Sequence, residues 1–451
     1  MEIQTINNTD TNPDTLKEAF EKVNTNLAEL KKLLYYGVRW DKTNSDPDCT
    51  RIGNLGWHVS LPLQSQMKTA LLNDDGSVNY YLKEDDWSLQ DDGITASNLD
   101  GTDGQVMTWV PSGYWQFVEA GDIREIRCSA EQFYGGDFIA GQWVSSFEAA
   151  VHRPTSKLAS VVNLTADYRG GNNNDAWDAE INTLLGRPVT ATSRTNFRTY
   201  ARNRGAGWEM YNYRAHKALW WLFVVEFATR NSQKAVNGAL TAEGYRQGGL
   251  GDGVTTADST EWNNFNSRYP YIACGASNNL ANFSGEVSVE VTDFGGAGVN
   301  RTFMVNRYRG VEMPFGHVWK NCDGINIKIQ ADGDGGESQA WVSDTPADWQ
   351  DNDYTNYNNV GLLPRANGYI SEALFGVGGE FVPKIAAGGS TTYFCDYFYT
   401  SIPGTGESLR TLLVGGAADH GSSAGFVCSR STASPSASTA SIGSRLCYIP
   451  N

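Results

Sequence analysis

Residue types that could carry out catalysis are present, but none occurs in a complete catalytic pattern. Gly421-Ser422-Ser423-Ala424-Gly425 satisfies the G-x-S-x-G spacing of a hydrolase nucleophile. A nucleophile elbow needs a strand before the serine and a helix after it, and the following segment, FVCSRSTASPS, does not favour a helix. We therefore expect no serine-hydrolase site in this segment.

Metal and cofactor patterns are also incomplete. The five histidines are dispersed and form no HExxH motif. Asp332, Asp334 and Glu337 resemble part of a calcium loop, but the other ligand positions of an EF-hand are missing, so a plain acidic turn is the favoured interpretation. GGLGDG at 248–253 lacks the glycine spacing of a dinucleotide site. The sequence predicts no cofactor, and these three acids are its weak metal candidate.

Composition limits the partners and the cellular compartment. The chain has 451 residues and a formal net charge of -16, with no basic run that could follow a phosphate backbone. Its first residues, MEIQTINNTD, have neither the positive segment nor the apolar core of a signal peptide, and no window of about 20 apolar residues occurs. Seven scattered cysteines without a CxxC pair indicate free thiols. We expect a soluble protein made in the cytoplasm, with neither nucleic acid nor membrane as partner.

The first 36 residues predict a helix with a coiled-coil seam. We expect it to start at Pro13, after a cap at Asn12, and to extend to residue 36. Its apolar residues recur at spacings of four and three: Leu16, Phe20, Val23, Leu27, Leu30 and Leu34. The seam favours an oligomerisation segment at 1–36, and an amphipathic helix packed on its own domain is the alternative.

Two further domains are expected. Short β-like segments broken by turn sequences such as Asp92-Gly93 indicate a small β-rich module at 37–120. A longer domain at 121–451 contains a helical region near 208–237 that is apolar nearly all round and should therefore be buried. Its expected strands include EVSVEVTDF, NIKIQ, LRTLLVG and SRLCYIP, with a Ser- and Ala-rich surface loop between the last two.

A group of segments is more specific than any single motif. The helix WWLFVVEFATRNSQ, then GGLGDGV, YRGVE, FGHVW, LLVGGA and the terminal GSRLCYIP follow one another along the chain. Together they closely resemble the C-type-lectin-fold variable proteins of diversity-generating retroelements, in particular the phage tail-fibre type related to the major tropism determinant. The resemblance covers roughly residues 120–451 and is strongest toward the C-terminus.

The resemblance implies a loop-rich C-terminal C-type-lectin-like fold. With the β-rich module and the coiled-coil helix before it, we expect an α+β chain. It implies a scaffold that includes Glu226, Arg309, Glu312 and Trp319, and a variable region at about 390–443. The residues expected on the variable, ligand-binding face are Tyr397, Phe398, Tyr399, Ala417, Asp419, His420, Ser422, Ser423, Phe426, Cys428, Arg430, Ser434, Ser436 and Ser438. For Phe426, Tyr397 and Tyr399, a place in the core or sheet is the alternative.

The family's diversification leaves a compositional trace that this sequence can be searched for. Adenine-directed mutagenesis of AAY codons never produces Lys, Glu, Gln, Met or Trp. Ser408 to Asn451 contains none of these five types, although the whole chain has 14 Trp and 6 Met. Unmutated AAY codons would leave Asn or Tyr, yet this stretch has no Asn before Asn451. Either every AAY codon in this stretch has been mutated, or fewer positions vary than the loop contains.

These observations predict a non-enzymatic phage receptor-binding protein. We expect a homotrimer at the tail-fibre tip of the virion, assembled in the host cytoplasm, that recognises a bacterial surface protein or glycan. One alternative is an enzyme on the same scaffold, either a formylglycine-generating-type oxygenase or a tail-borne depolymerase. The oxygenase chemistry needs paired cysteines or a His-rich site, and Cys395, Cys428 and Cys447 have no His partner pattern. Another alternative is a variable protein displayed on a bacterial surface, for which no export signal is seen.

Overall fold

The computed structural model describes residues 4, 6–7, 14–180, 183–234, 237–248, 250, 254–255, 257, 259–264, 270–294, 298–376 and 378–450. Its α-helices are α1 (Leu16–Lys32), α2 (Trp57–Ser60), α3 (Arg194–Arg202), α4 (Tyr213–Phe227) and α5 (Ser259–Asn264). The predicted cap Asn12 and Pro13 lie outside the described residues, as do Gly249 and residues 251–253 of the GGLGDG segment.

Strands account for most of the regular structure. The strands of the first half are β1 (Tyr36–Asp41), β2 (Thr50–Gly53), β3 (Thr69–Leu72), β4 (Val78–Lys83), β5 (Asp86–Gln90), β6 (Gln105–Val110), β7 (Gly113–Ala120), β8 (Ile123–Ser129), β9 (Asp137–Ile139), β10 (Gln142–Ser145), β11 (Ala150–His152), β12 (Lys157–Ala159) and β13 (Trp208–Met210). Those of the second half are β14 (Asn237–Leu240), β15 (Arg246–Gln247), β16 (Gly285–Phe294), β17 (Val299–Tyr308), β18 (Val311–Glu312), β19 (Trp319–Gln330), β20 (Ser338–Val342), β21 (Asn358–Leu362), β22 (Gly368–Tyr369), β23 (Glu372–Ala373), β24 (Pro383–Ile385), β25 (Tyr397–Tyr399), β26 (Glu407–Val414), β27 (Ser429–Arg430), β28 (Ile442–Gly443) and β29 (Leu446–Tyr448).

Three larger sheets organise the described residues. A five-stranded sheet has the order β2-β1-β8-β7-β9, and a seven-stranded sheet has the order β13-β29-β10-β6-β3-β4-β5. An eight-stranded sheet combines β21-β20-β19-β26-β27-β25-β22 with β28, which pairs with β19. The seven-stranded sheet therefore joins strands of the expected 37–120 module to β29 at the C-terminal end, and residue 120 is not a boundary between sheets.

The expected fold class is wrong. In the part of the chain that the structure describes, strand (34%) is twice as abundant as helix (17%), and the strands form a curled half-barrel sheet rather than an α+β C-type-lectin-like fold. The physical reason is long-range strand pairing: β10, from the first third of the chain, pairs with β6 on one side and with β29, at the C-terminal end, on the other. Segments that look like separate modules in the sequence thus share sheets and clusters of buried apolar residues.

The expected N-terminal coiled coil is also wrong, because α1 is a single short helix of 17 residues. It begins after Thr15, which forms a capping box with Glu18, and ends before Leu33. None of its residues is buried, and the chain passes directly from it into β1. The apolar seam therefore faces outward in the described chain.

A buried helix was correctly predicted within residues 208–237, but it is shorter than expected, because α4 covers only Tyr213–Phe227 and Trp208–Met210 form β13. In α4, 13 of 15 residues are buried, because apolar side chains surround the helix on every side. Asn212 caps its start and Ala228 ends it in the left-handed conformation. NIKIQ lies within β19, the LRTLLV part of LRTLLVG lies within β26, and the LCY part of SRLCYIP forms β29. Among the described residues, no helix combines the length and apolar character needed to cross a membrane.

Candidate functional site

A buried carboxylate on α4 holds the loop between β17 and β18. Glu226 is 1% exposed and accepts two hydrogen bonds from the Arg309 guanidinium, Nε to Oε2 at 2.6 Å and Nη2 to Oε1 at 2.8 Å. The Tyr308 hydroxyl donates to the same carboxylate at 3.1 Å. Bidentate pairs of this kind fix both distance and orientation. Glu226 and Arg309, both expected in the scaffold, therefore join the central helix to the sheet.

Glu312 and Trp319 are buried as well. The Glu312 carboxylate accepts from the backbone N–H groups of Gly275 at 2.9 Å and Ser277 at 2.7 Å, and from the Ser277 hydroxyl at 2.6 Å. Arg307 lies 3.5 Å from it. Trp319 is 1% exposed and lies under the C-terminal surface described below. These residues position other segments rather than face solvent.

A third buried charge cluster surrounds Glu148. Its Oε1 lies 2.8 Å from Lys320 Nζ, and its Oε2 lies 2.6 Å from His317 Nδ1. The Ile272 N–H donates to His317 Nε2, so Nδ1 carries the proton and donates to Glu148. Burial alone would raise the pKa of Glu148, but the positive charge of Lys320 and the hydrogen bond from His317 hold that pKa well below its usual range. The cluster joins the loop before β11 to β19.

Above this scaffold, four rings form a continuous row on the eight-stranded sheet, which we call the aromatic face. Ring centroids are 4.9 Å apart for Tyr369 and Tyr397, 4.6 Å for Tyr397 and Tyr399, and 5.0 Å for Tyr399 and His420. All four side chains are partly exposed. The row rests on Trp319, whose ring lies 5.0 Å from that of His420.

Strand pairing places these rings side by side. Tyr369 in β22 pairs with Tyr397 in β25, so residues far apart in the chain become neighbours. Because successive side chains of a strand point to opposite faces, Tyr397 and Tyr399 share one face while Phe398 between them is buried. His420 comes from the 3₁₀ segment Ala418–Ser423. The aromatic face therefore combines two rigid strands and one loop.

Polar groups border the aromatic face. The Tyr369 hydroxyl lies 3.2 Å from the hydroxyls of both Ser422 and Ser423. Asp419 Oδ1 lies 3.1 Å from His420 Nδ1. Burial raises the pKa of Tyr399, and the phenol therefore stays neutral over the physiological range. The border thus offers hydroxyl groups that can both donate and accept.

Arg430 lies beside this border on β27. Burial lowers its pKa, and the negative charge of Asp419 opposes that change. Its Nε donates to the Thr432 hydroxyl. Arg430 therefore adds a cationic group next to the rings.

The structure divides the predicted ligand-binding residues into two groups. Partly or fully exposed positions are Tyr397, Tyr399, Asp419, His420, Ser422, Ser423, Arg430, Ser434, Ser436 and Ser438. Fully buried positions are Phe398, Ala417, Phe426 and Cys428. Phe426 lies in the core, 5.0 Å from the ring of Phe223 and 5.5 Å from that of Phe315. Its aromatic surface is therefore used for packing and is not presented to a ligand.

Residues that hold the loop were missed by the sequence analysis. Asp396 is buried, and its Oδ2 accepts from the Val427 N–H at 2.8 Å and the Ser232 hydroxyl at 3.3 Å. The Ser232 hydroxyl in turn accepts from the Phe426 N–H at 2.9 Å, and Gln233 donates to the Gly421 carbonyl at 2.8 Å. Burial raises the pKa of Asp396 well above its ordinary value. Tyr369 was also missed, because only its long-range pairing with β25 places it at the site.

The weak metal candidates have other partners. Asp332 pairs with Arg365 at 2.6 Å, Asp334 accepts from the Gly406 N–H at 2.6 Å, and Glu337 accepts from the Gln339 amide at 2.6 Å. Within the described part of the chain, no group of three or more His, Cys, Asp or Glu side chains could hold a metal ion.

Comparison with known proteins returns no relative: no family model matches the chain, and no curated protein matches it.

Proposed function

We propose that this protein is a non-enzymatic ligand-binding protein whose recognition surface is the aromatic face and its polar border. The observation that carries the proposal is the uninterrupted row of four partly exposed rings at centroid spacings of 4.6 to 5.0 Å. Tyrosine provides a large, rigid contact surface at a low cost in side-chain entropy, and for this reason it is common in binding surfaces.

The surroundings of the row support recognition of varied ligands. Ser422 and Ser423 can reorient their hydroxyls, while Asp419 and Arg430 contribute charges of both signs. Behind them, the Asp396, Ser232 and Gln233 hydrogen bonds anchor the loop backbone. Side chains can therefore change on the outside without removing the bonds that hold the loop.

The biological setting that we propose comes from the sequence resemblance. It is a phage or prophage receptor-binding protein at a tail-fibre tip, with its C-terminal surface diversified by a retroelement and a bacterial surface protein or glycan as ligand. The absence of Lys, Glu, Gln, Met and Trp from 408–451 supports the diversification. Sequencing of the neighbouring DNA tests it, because a template copy of the C-terminal codons beside a reverse transcriptase is expected.

We also propose that three copies of the chain assemble. The apolar row on α1 supports self-association, since Leu16, Phe20, Val23, Leu27 and Leu30 are all exposed in the single chain. Light scattering of the full chain should give a mass near three copies, and deletion of residues 1–32, which removes α1 and leaves β1 intact, should lower it. A full-length monomer at micromolar concentration would contradict the assembly without affecting the proposed recognition surface.

The recognition proposal is tested by adsorption of purified, fluorescently labelled protein to a panel of bacterial isolates. The parent chain should label at least one isolate, and the double variant Tyr397→Ala/Tyr399→Ala should lower labelling at least about 10-fold, as expected for loss of central aromatic contacts.

The matched control is Tyr134→Ala, which removes a tyrosine that is 82% exposed and lies outside the aromatic face. This variant should label the same isolates as the parent chain. Equal labelling by the double variant and the parent would contradict the proposal, provided that circular dichroism shows both to be folded.

A further inference from the structure

A cavity of about 570 Å³ lies at the β3-β4-β5 end of the seven-stranded sheet. Its walls come from the turn before β3, the end of β4, the β4–β5 turn and the segment just before β16. Small-molecule sites typically have volumes of about 300–1,000 Å³. The cavity contains no residue of the aromatic face, so it is a separate candidate site.

Two exposed rings line this cavity. Tyr81 is 36% exposed and Phe283 is 47% exposed, whereas Met67 and Leu82 beside them are buried. A pyranose ring carries C–H groups on one face, and these pack favourably against the electron-rich face of an aromatic ring. The cavity therefore offers the kind of apolar surface that a sugar ring can cover.

Groups that suit sugar hydroxyls line the same cavity. Lys68 and Lys83 can donate hydrogen bonds, and the carboxylates of Glu84, Asp85 and Asp91 can accept them. Lys83 Nζ already lies 2.5 Å from Asp85 Oδ1, so part of the charge is balanced within the site. Because the two lysines nearly offset the three carboxylates, the cavity disfavours strongly charged ligands.

Asn282 provides a rigid polar group at the same place. It is mostly buried, its backbone N–H donates to the Glu84 carbonyl at 3.0 Å, and its Oδ1 accepts from Trp87 Nε1 at 3.1 Å. The indole N–H can only donate, so the amide oxygen must face Trp87. The amide NH₂ group is then available to donate to a hydroxyl of a ligand in the cavity.

We propose that this cavity binds a neutral saccharide unit. The apolar face of the sugar packs on Tyr81 and Phe283, and its hydroxyls bond to Asn282 and to the surrounding lysines and carboxylates. The observations that carry this inference are two exposed rings, a fixed amide and nearly balanced charges around one cavity of suitable size. The site adds a second ligand to the chain and does not depend on recognition at the aromatic face.

The test is saturation-transfer NMR on the full chain with the methyl glycosides of glucose, galactose, mannose and N-acetylglucosamine. At least one glycoside should bind with a Kd of about 1 mM or lower. Phe283→Ala, which removes an exposed ring, and Asp91→Asn, which keeps the side-chain shape, should each weaken that binding at least about 5-fold.

Two matched variants locate the binding. Tyr134→Ala removes an exposed tyrosine outside the cavity, and Tyr397→Ala/Tyr399→Ala removes two rings of the aromatic face. Both should bind the glycoside as the parent does. The proposal is overturned if no glycoside binds to the parent, if Asp91→Asn binds as the parent does, or if only the aromatic-face variant loses binding. If Phe283→Ala fails to fold, the glycoside binding measured for Asp91→Asn decides whether the proposal holds.

Discussion

The buried charges of the scaffold and the aromatic face above them use polar side chains in opposite ways. Around Glu226, each carboxylate oxygen has a partner within 3.1 Å, and the group is removed from water. Around Tyr397 and Tyr399, the rings remain partly exposed, and the neighbouring serines bond mainly through hydroxyls that can rotate. The scaffold depends on specific ion pairs and hydrogen bonds, whereas the aromatic face tolerates substitution of its outward side chains.

The comparison shows how a chain with little helix can combine rigidity with a changeable surface. A buried ion pair stabilises weakly overall, but loss of one partner leaves an uncompensated charge and costs far more. A surface serine does not neutralise a buried charge, so its substitution leaves no such charge uncompensated. The two regions should therefore differ sharply in their response to substitution.

The largest expected effect is from Arg309→Met. It leaves the buried Glu226 carboxylate with the Tyr308 hydroxyl and with the more distant cation of Arg246, whose Nε lies 3.4 Å from Oε1. Urea unfolding should show a loss of about 3–5 kcal/mol in the free energy of unfolding. The control is Lys234→Met, which removes an exposed partner of Asp48 and should cost at most about 1 kcal/mol. Similar losses in the two variants would remove the distinction between scaffold and surface.

Acid should also destabilise the scaffold selectively. The pKa of Glu148 is lower in the folded chain than its ordinary value of 4.5, so its ionised form stabilises the fold above that pH. The contribution is lost as pH falls below about 4.5 toward the folded pKa, and a pKa one unit lower corresponds to about 1.4 kcal/mol. Thermal unfolding measured from pH 7 to pH 3 should show a smaller acid dependence in Glu148→Gln. An identical slope in that variant would contradict the role of Glu148.

An intermediate effect is expected at the row of rings. Tyr399→Ala should weaken adsorption to a susceptible isolate about 10-fold, because it removes the ring that links Tyr397 to His420. Flow cytometry provides the measurement, and Tyr134→Ala is again the matched control. If Tyr399→Ala lowered the folded fraction while the binding per folded molecule stayed unchanged, Tyr399 would belong to the scaffold.

The smallest effect is expected at the outer serines. Ser436 and Ser438 are exposed, so Ser436→Asn and Ser438→Tyr should each change the free energy of unfolding by less than about 0.5 kcal/mol. Chemical denaturation of both single variants checks this. A loss above about 2 kcal/mol in either would show that the loop depends on these side chains for its structure.

Local patterns in the sequence predicted some elements correctly and failed on the architecture. The apolar run WWLFVVEF predicted a buried helix, and β26 and β29 follow from their own apolar runs. The expected fold was wrong because the order of the sheets depends on pairings such as that of β10 with β29, between residues 142–145 and 446–448. No local periodicity contains that information.

The candidate site shows the same limit. Alternation within β25 was noted as an alternative for Tyr397 and Tyr399, and the structure places both on one face with Phe398 buried between them. Composition marked the C-terminal loop, yet it could not separate the partly exposed His420 from the buried Phe426. The sequence around Tyr369 and Asp396 does not indicate their roles. Those roles arise from strand pairing and from hydrogen bonds to a distant loop.

The most direct test of the recognition surface is a library randomised at Asp419, His420, Ser422, Ser423 and Arg430. Each member is scored separately for folded protein in solution and for adsorption to a panel of bacterial isolates. We predict that most members fold and that the set of isolates they bind changes from member to member. The account would be contradicted if most members misfolded, or if all folded members bound the same isolates as the parent chain.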